Sequence, residues 1–477
     1  MCTSRTIALS TDVPADPPDL SRPHFVGIGG MAMSGLALIC AAQGARVTGS
    51  DSDPDAARLA ELTTAGCQVS AGHDDPPPAD ATCVVWSTAI SDGNPELAAA
   101  RAAGIQVIHR AQAMQALAED RTFLAVSGTH GKSTVTGMIT TILDELGEDP
   151  TYAIGAALAG DGSSARLGCG PVLVAEADES DRSFLWLHPQ IAVITNVTDD
   201  HPENYYGIKD HILTHCRFVD GIARDGTLVV NVEDPGAGTV ADLVRSTRPD
   251  LRVVTVGTAP GDDWRITATR TSGMSTVTVV TAPDGRQLTV SVSVPGRHMA
   301  HNAVAAVAAA VAAGTPTRKA VQAISGFAGV RGRLTQRGHQ NGVRVIDSFA
   351  HHPLEIRADI TAARDIARTG GQVIVVYQPR GYNRTRQYAV PMAAELAAAD
   401  LVLLLDICAP AWEPMPGSGV SSQLIADDGT GEVVSPQDAV SRVASAARPG
   451  DIVLVMGSGP VAGQVCAALA DPQPARF

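Results

Sequence analysis

The run Gly128-Thr129-His130-Gly131-Lys132-Ser133-Thr134 has residue types suited to holding phosphate. Its glycines let backbone N–H groups converge on an anion, its lysine offers an ammonium to the β- and γ-phosphates of a nucleotide, and Ser133 offers a hydroxyl to Mg²⁺. The full phosphate-loop spacing is not met, because Val126 stands where the first glycine belongs. The shorter form G-x-x-G-K-S remains, with the apolar run TFLAVS before it and the helical pattern VTGMITTILDELG after it.

Two acidic groups follow. The run PVLVAEAD leads into Glu176, Asp178, Glu179 and Asp181, and IAVITNV leads into Asp199, Asp200 and His201. Carboxylates gathered at strand ends suit hard divalent cations beside nucleotide phosphates; a solvated acidic loop is the alternative for either group alone. Nearer the N-terminus, Gly27-Ile28-Gly29-Gly30-Met31-Ala32 follows a strand pattern, opens a helix, and has Asp51 at the end of the next strand. That is the dinucleotide fingerprint, but the same geometry serves any pyrophosphate. Since the Lys132 loop already provides for ATP, a second nucleotide-linked substrate is the better reading than NAD.

These residues need parallel sheets to carry them. The runs HFVGIGG, RVTGSD and CVVWSTAI alternate with alanine- and leucine-rich helical stretches, a βαβ pattern. TFLAVSG starts a second series with PVLVAEAD, IAVITNV and GTLVVNVED, and MSTVTVVTAPDGRQLTVSVSVPG reads as a hairpin turning at Pro283-Asp284-Gly285. After the Gly/Arg-rich GFAGVRGRLTQRG, the strands VRVIDS, QVIVVYQP, LVLLLDI and DIVLVMG form a third series. The expected architecture is α/β in three domains: a flexible tail over 1–22, then 23–119, 120–330 and 331–477.

A formal charge of −15 argues against a general grip on nucleic acid. The eight cysteines are scattered without a C-x-x-C pair, which suits reduced thiols in a cytoplasmic enzyme. The first twenty-odd residues lack an apolar signal core, and the longest apolar run, Ala303 to Gly314, is too short to span a membrane, so membrane insertion is not expected.

In order, GIGGMAMSGLA, GSD, Asn94-Pro95-Glu96, GTHGKST, EADESD, TNVTDDH with YYG, GRHMAHNAVAA, FAGVRGR, DSFAHHP and QPRGYNRTR resemble the motifs of the Mur ligase family. The branch resembled takes UDP-N-acetylmuramate and L-alanine. The resemblance implies a Rossmann-like UDP-binding domain, a central phosphate-loop ATPase domain with a mostly parallel sheet, and a C-terminal Rossmann-like domain. It implies a cytoplasmic ligase, monomer or homodimer, that uses ATP and Mg²⁺ to join an amino acid to the lactyl carboxylate through an acyl-phosphate in peptidoglycan precursor synthesis.

Carried over by residue, the resemblance puts Lys132 on the ATP phosphates, Ser133 and Glu176 on one Mg²⁺, and His201 on a second. Asn302 and His298 are implied near the adenine and Arg333 near the phosphates. Asp347 and His351 face the amino acid, with His351 a candidate for taking the amine's proton. Gly27, Gly29, Gly30, Asp51 and His73 line the UDP moiety.

Departures fall in the third domain. Where the family shows D-D-Y-[GA]-H-H-P, this chain has Asp347-Ser348-Phe349-Ala350-His351-His352-Pro353; where it shows Q-P-H-R-Y-x-R-T, Arg380-Gly381 replace the His-Arg pair while Tyr382, Arg384 and Thr385 remain. Pro460 replaces a common aspartate. Arg380 and Arg384 are the candidates on the amino-acid side. Either Arg380 restores the lost guanidinium and L-alanine is kept, or the chain is a paralogue forming an amide with a different amino acid or carboxylate. Intact Lys132, Glu176, His201, Asn302 and Arg333 weigh against a binding protein without catalysis, and an NAD-linked oxidoreductase would leave the Lys132 loop unexplained.

Overall fold

The apolar runs read as strands are strands, and they assemble into three sheets in a computed structural model of the chain. The structure describes residues 17–52, 56–159, 162–367, 370–409, 413, 419–427, 429–457 and 461–470. Most of the expected tail, residues 1–16, and the departure at Pro460 lie outside them.

The first sheet is all parallel, in the order Gln68–Ala71, Thr48–Asp51, Pro23–Val26, Cys83–Trp86, Gln106–His109. Strand order reverses at Pro23–Val26, all four of whose residues are buried. The Gly27–Gly30 loop therefore leaves the sheet at its switch point, where open α/β folds bind ligands.

The second sheet has ten strands. Its middle runs Arg252–Gly257, Thr227–Asn231, Ile191–Ile194, Thr122–Ser127, Val172–Glu176, Thr151–Ala153, all parallel. Ile194 pairs with Ser127 and Glu176 with Val126. This register delivers the Lys132 loop, the Glu176–Asp181 loop and the Thr195–His201 loop to one edge, though up to 74 residues separate them in sequence (Ser127 to His201). Phe123, Leu124, Ala125 and Val126 are all buried, and the three larger side chains contribute roughly 1.5–3 kcal/mol each by leaving water. The predicted hairpin is present, with Gly285 at φ +79° and its N–H donating to the Ala282 carbonyl.

The third sheet runs Thr335–Gln340, Val343–Ser348, Ile452–Met456, Val373–Tyr377, Leu401–Leu404, Glu432–Val433, parallel except for its first pair. Met456 pairs with both Ser348 and Tyr377, so the DSFAHHP and QPRGYNRTR segments leave the same edge. The first sheet and the parallel middle of the second share one compact unit, which extends to Thr267 and includes Val279–Val290 and His301–Phe327; the third sheet belongs to a second, which also takes Ala268–Thr278 and Ser291–Ala300.

Candidate active site

Helix Lys132–Glu145 begins immediately after Gly131, which is left-handed at φ +85°. Gly128 has φ +126°, and a Cβ there would stand 2.2 Å from Thr195 Oγ1, so only glycine fits. Thr195 Oγ1 and Asn196 Nδ2 donate to the His130 carbonyl at 2.6 and 2.9 Å, and Asn196 Oδ1 accepts from the His130 N–H at 2.8 Å. The Thr129 hydroxyl accepts from the Thr198 N–H at 2.9 Å. The loop is thus strapped to TNVT, a role the sequence reading did not assign.

Lys132 Nζ donates to the Gly128 carbonyl at 2.8 Å and lies 2.8 Å from Glu179 Oε2. Burial works against the Lys132 ammonium, but the carboxylates of Glu179, Asp178 and Glu176 outweigh it and hold its pKa above the usual lysine range. Burial also pushes the Glu179 carboxyl up, and Lys132, which donates to its Oε1 at 3.0 Å, opposes that push. His201, at φ +52°, brings Nε2 to 4.0 Å from Glu179 and Nδ1 to 3.2 Å from Glu203. Asn302, on helix His298–Ala312, holds its amide oxygen 3.1 Å from where a Gly131 Cβ would stand, so it adjoins the loop itself. His298 opens that helix, its ring folded toward Gly296.

The expectation of one four-carboxylate group is corrected. Glu179 serves Lys132, and Asp178 and Asp181 pair with Arg110 Nη2 at 2.7 and 3.2 Å. Burial would raise both aspartates, but Arg110 holds them below the usual carboxylate range. Glu176 accepts from the Gly155 N–H at 2.7 Å. Among the described residues no three His, Cys, Asp or Glu side chains converge on a metal position; Mg²⁺ shared with phosphates asks for only one or two protein ligands.

At the first sheet, Asp51 Oδ2 accepts from the Gly29 N–H at 2.8 Å, and the Ser50 carbonyl accepts from Gly27 and Ile28. His73 Nδ1 lies 2.9 Å from Ser50 Oγ, which donates to the buried Glu96 at 2.5 Å. Gly27, Gly29, Asp51 and His73 are therefore brought together at the switch point, and Gly30 caps helix Met31–Ala42.

In the second unit, His351 Nδ1 donates to the Phe349 carbonyl at 2.7 Å, leaving Nε2 as the acceptor. His352 and Glu355 form a capping box for helix Pro353–Ile366. The Phe349 ring lies under two guanidiniums, Arg380 at 4.7 Å and Arg333 at 5.5 Å, and Arg333 also reaches Glu355 at 3.5 Å. A cation on an aromatic face needs no hydroxyl, which accounts for the phenylalanine. Ser348 donates to the buried Asp359, whose carboxyl burial pushes up to about 7; a second carboxylate at 348 would face it. Asp347 ends its strand with Arg337 at 4.0 Å, and burial raises its carboxyl. Arg384 lies in the first turn of helix Tyr382–Leu396.

Models of the Mur ligase family match throughout: the catalytic domain at residues 22–122, the middle domain at 171–310 and the glutamate ligase domain at 332–459. The UDP-N-acetylmuramate–L-alanine ligase of Streptomyces avermitilis is 43% identical over 455 residues, 94% of this chain and 97% of that protein. The Thermobifida fusca enzyme of that name is 43% identical over 460 residues, covering 94% and 96%. The crystal structure of UDP-N-acetylmuramate-alanine ligase MurC from Thermotoga maritima matches with a TM-score of 0.76 at 25% identity, covering 94% of this chain and 98% of that one. Likeness that runs nearly end to end in both chains places this one plainly: it belongs to the Mur ligase family.

Proposed function

We propose that the chain joins L-alanine to the lactyl carboxylate of UDP-N-acetylmuramate at the expense of ATP, in peptidoglycan precursor synthesis. It is an ATP-dependent carboxylate–amine ligase. The observation that carries the reading is the Lys132 ammonium, held at a helix N-terminus on the same sheet edge as Glu176 and His201. The names of the relatives supply the substrates.

A carboxylate is a poor electrophile, so one of its oxygens attacks the γ-phosphorus and ADP leaves. The amine then attacks the acyl carbon, and phosphate departs with the former carboxylate oxygen. Two anions must meet in the first step. Lys132, with the loop N–H groups, offsets that repulsion by positioned charge. Ser133 and Glu176 are hard oxygen donors of the kind Mg²⁺ takes, and His201 stands among carboxylates as the candidate for a second ion. Bound Mg²⁺ supplies further neutralisation of phosphate charge. His351 Nε2 is the acceptor for the amine's proton, and Arg380 and Arg384 are the cations for the amino acid's carboxylate. The UDP moiety lies along Gly27, Gly29, Gly30, Asp51 and His73. The domains divide at 119/120 and 330/331.

No described helix is long and apolar enough to cross a membrane. A cytoplasmic setting draws support from the seven described cysteines, all free thiols. A second reading, with another amino acid as the amine, draws on the guanidinium at 380 where the family has it at 381. Phosphate release from Mg-ATP and UDP-N-acetylmuramate, measured with each common amino acid, decides: a strong preference for L-alanine is expected, release without any amine marks hydrolysis of a stalled acyl-phosphate, and no release under any condition rejects the ligase reading.

A further inference from the structure

Arg110 belongs to neither the Gly27 loop nor the Lys132 loop, yet it ties together the segments that carry them. It opens helix Arg110–Leu117 directly after the edge strand of the first sheet, and its guanidinium reaches Asp178 and Asp181 in the loop beyond Val172–Glu176 of the second. Asp181 Oδ2 also accepts from Thr88 Oγ1 at 2.7 Å. Thr88 shares its loop with Ile90, whose Cδ1 lies 3.0 Å from where a Gly27 Cβ would stand. Two residues before Asp181, Glu179 holds Lys132. His109 completes the joint: its Nδ1 accepts from the Ala111 N–H, so the proton sits on Nε2, 3.7 Å from Asp181, and its ring packs on Trp86 of the first sheet and on Trp186 in the short turn Ser183–Trp186 that follows Asp181. The loop beyond Glu176 therefore holds the phosphate-gripping lysine through Glu179 and, through Asp181 and Thr88, the segment whose Ile90 packs beside Gly27.

We propose that Arg110 is a positioning residue for the ligation: by clamping Asp178 and Asp181 it fixes the register between the first sheet's substrate loop and the Lys132–Glu179 pair, so that carboxylate and γ-phosphorus meet in line. This rests on the ligase reading above. Stability alone is a weak reason for such a joint, because buried ion pairs are often replaceable by apolar side chains without loss. Placement is a stronger one, since a shift of about 1 Å between reacting groups costs on the order of a hundredfold in rate. Both aspartates are reached by one nitrogen, Nη2, and a lysine, whose ammonium ends a stem of different length and shape, is expected to hold that register less well.

The test compares the wild type with Arg110→Gln, Arg110→Lys and Thr88→Val, with turnover normalised to the fraction of molecules that bind ADP. Arg110→Gln is expected to lower kcat about ten- to a hundredfold while the KM values for ATP and the UDP-sugar stay within about threefold. Arg110→Lys should fall between it and the wild type, and Thr88→Val should lose roughly three- to tenfold. An unchanged kcat per ADP-binding molecule in Arg110→Gln overturns the proposal; if that variant does not fold, wild-type kcat in both of the others overturns it. A wild type without turnover on any amino acid sinks the ligase reading, and this inference with it, an outcome distinct from an active wild type with indifferent variants.

Discussion

The two halves of the candidate machinery balance charge in opposite ways. Around Lys132 every cation already has an acid: Glu179 on Lys132, Asp178 and Asp181 on Arg110. Around Phe349, Arg380 has no ion pair with another described residue; it rests on a ring, and burial lowers its pKa. The first arrangement is locked before substrate arrives, and any arriving phosphate must share Lys132 with Glu179. The second keeps a half-buried guanidinium available to a carboxylate. On the proposed reading, fixed geometry is built on the phosphate side and an adjustable cation on the amino-acid side.

The largest effect should come from breaking the locked side. Lys132→Met is expected to lower kcat by on the order of 10³-fold, and to cost about 3–5 kcal/mol in stability because Glu179 is left buried and unpaired, less whatever Glu179 recovers by taking up a proton. Adding Glu179→Gln should restore stability without restoring turnover, which urea unfolding and phosphate release would separate. Next, Asp359 has a carboxyl raised to about 7 in the folded chain against 3.8 ordinarily. The unfolded chain loses that proton first, so stability should fall as pH rises from about 4 to about 7 and level off above. Asp359→Asn should remove this slope in urea midpoints; an unchanged slope would assign it elsewhere. On the adjustable side, Arg380→Met should raise the KM for the amino acid about ten- to a hundredfold, the value of a charge-assisted hydrogen bond, leaving the KM for ATP alone. Smallest of all, Phe349→Leu should raise that same KM roughly three- to tenfold through the lost ring face. Equal effects of Arg380→Met on both KM values would dissolve the contrast.

Legibility in the sequence follows the same division. The Gly27 and Lys132 loops and their sheets were readable because each is a local strand–turn–helix. The pairing of the acidic residues was not: counting carboxylates suggested a metal cluster, whereas Lys132 comes from 47 residues before Glu179 and Arg110 from 68 before Asp178. Thr88 and Asp181 are 93 apart, beyond any motif. His352 escaped notice as a helix cap because Ser, Thr, Asp and Asn are the residues sought there. Phe349 stands out in sequence only as a departure from the family's tyrosine; only the structure reveals two guanidiniums over its ring.

The claim beneath all of this is that a carboxylate oxygen attacks the phosphorus gripped beside Lys132. UDP-N-acetylmuramate labelled with oxygen-18 in its lactyl carboxylate, turned over with Mg-ATP and L-alanine, tests it directly by the mass of the released phosphate. One labelled oxygen per phosphate is the predicted result; phosphate whose new oxygen comes from water would contradict it.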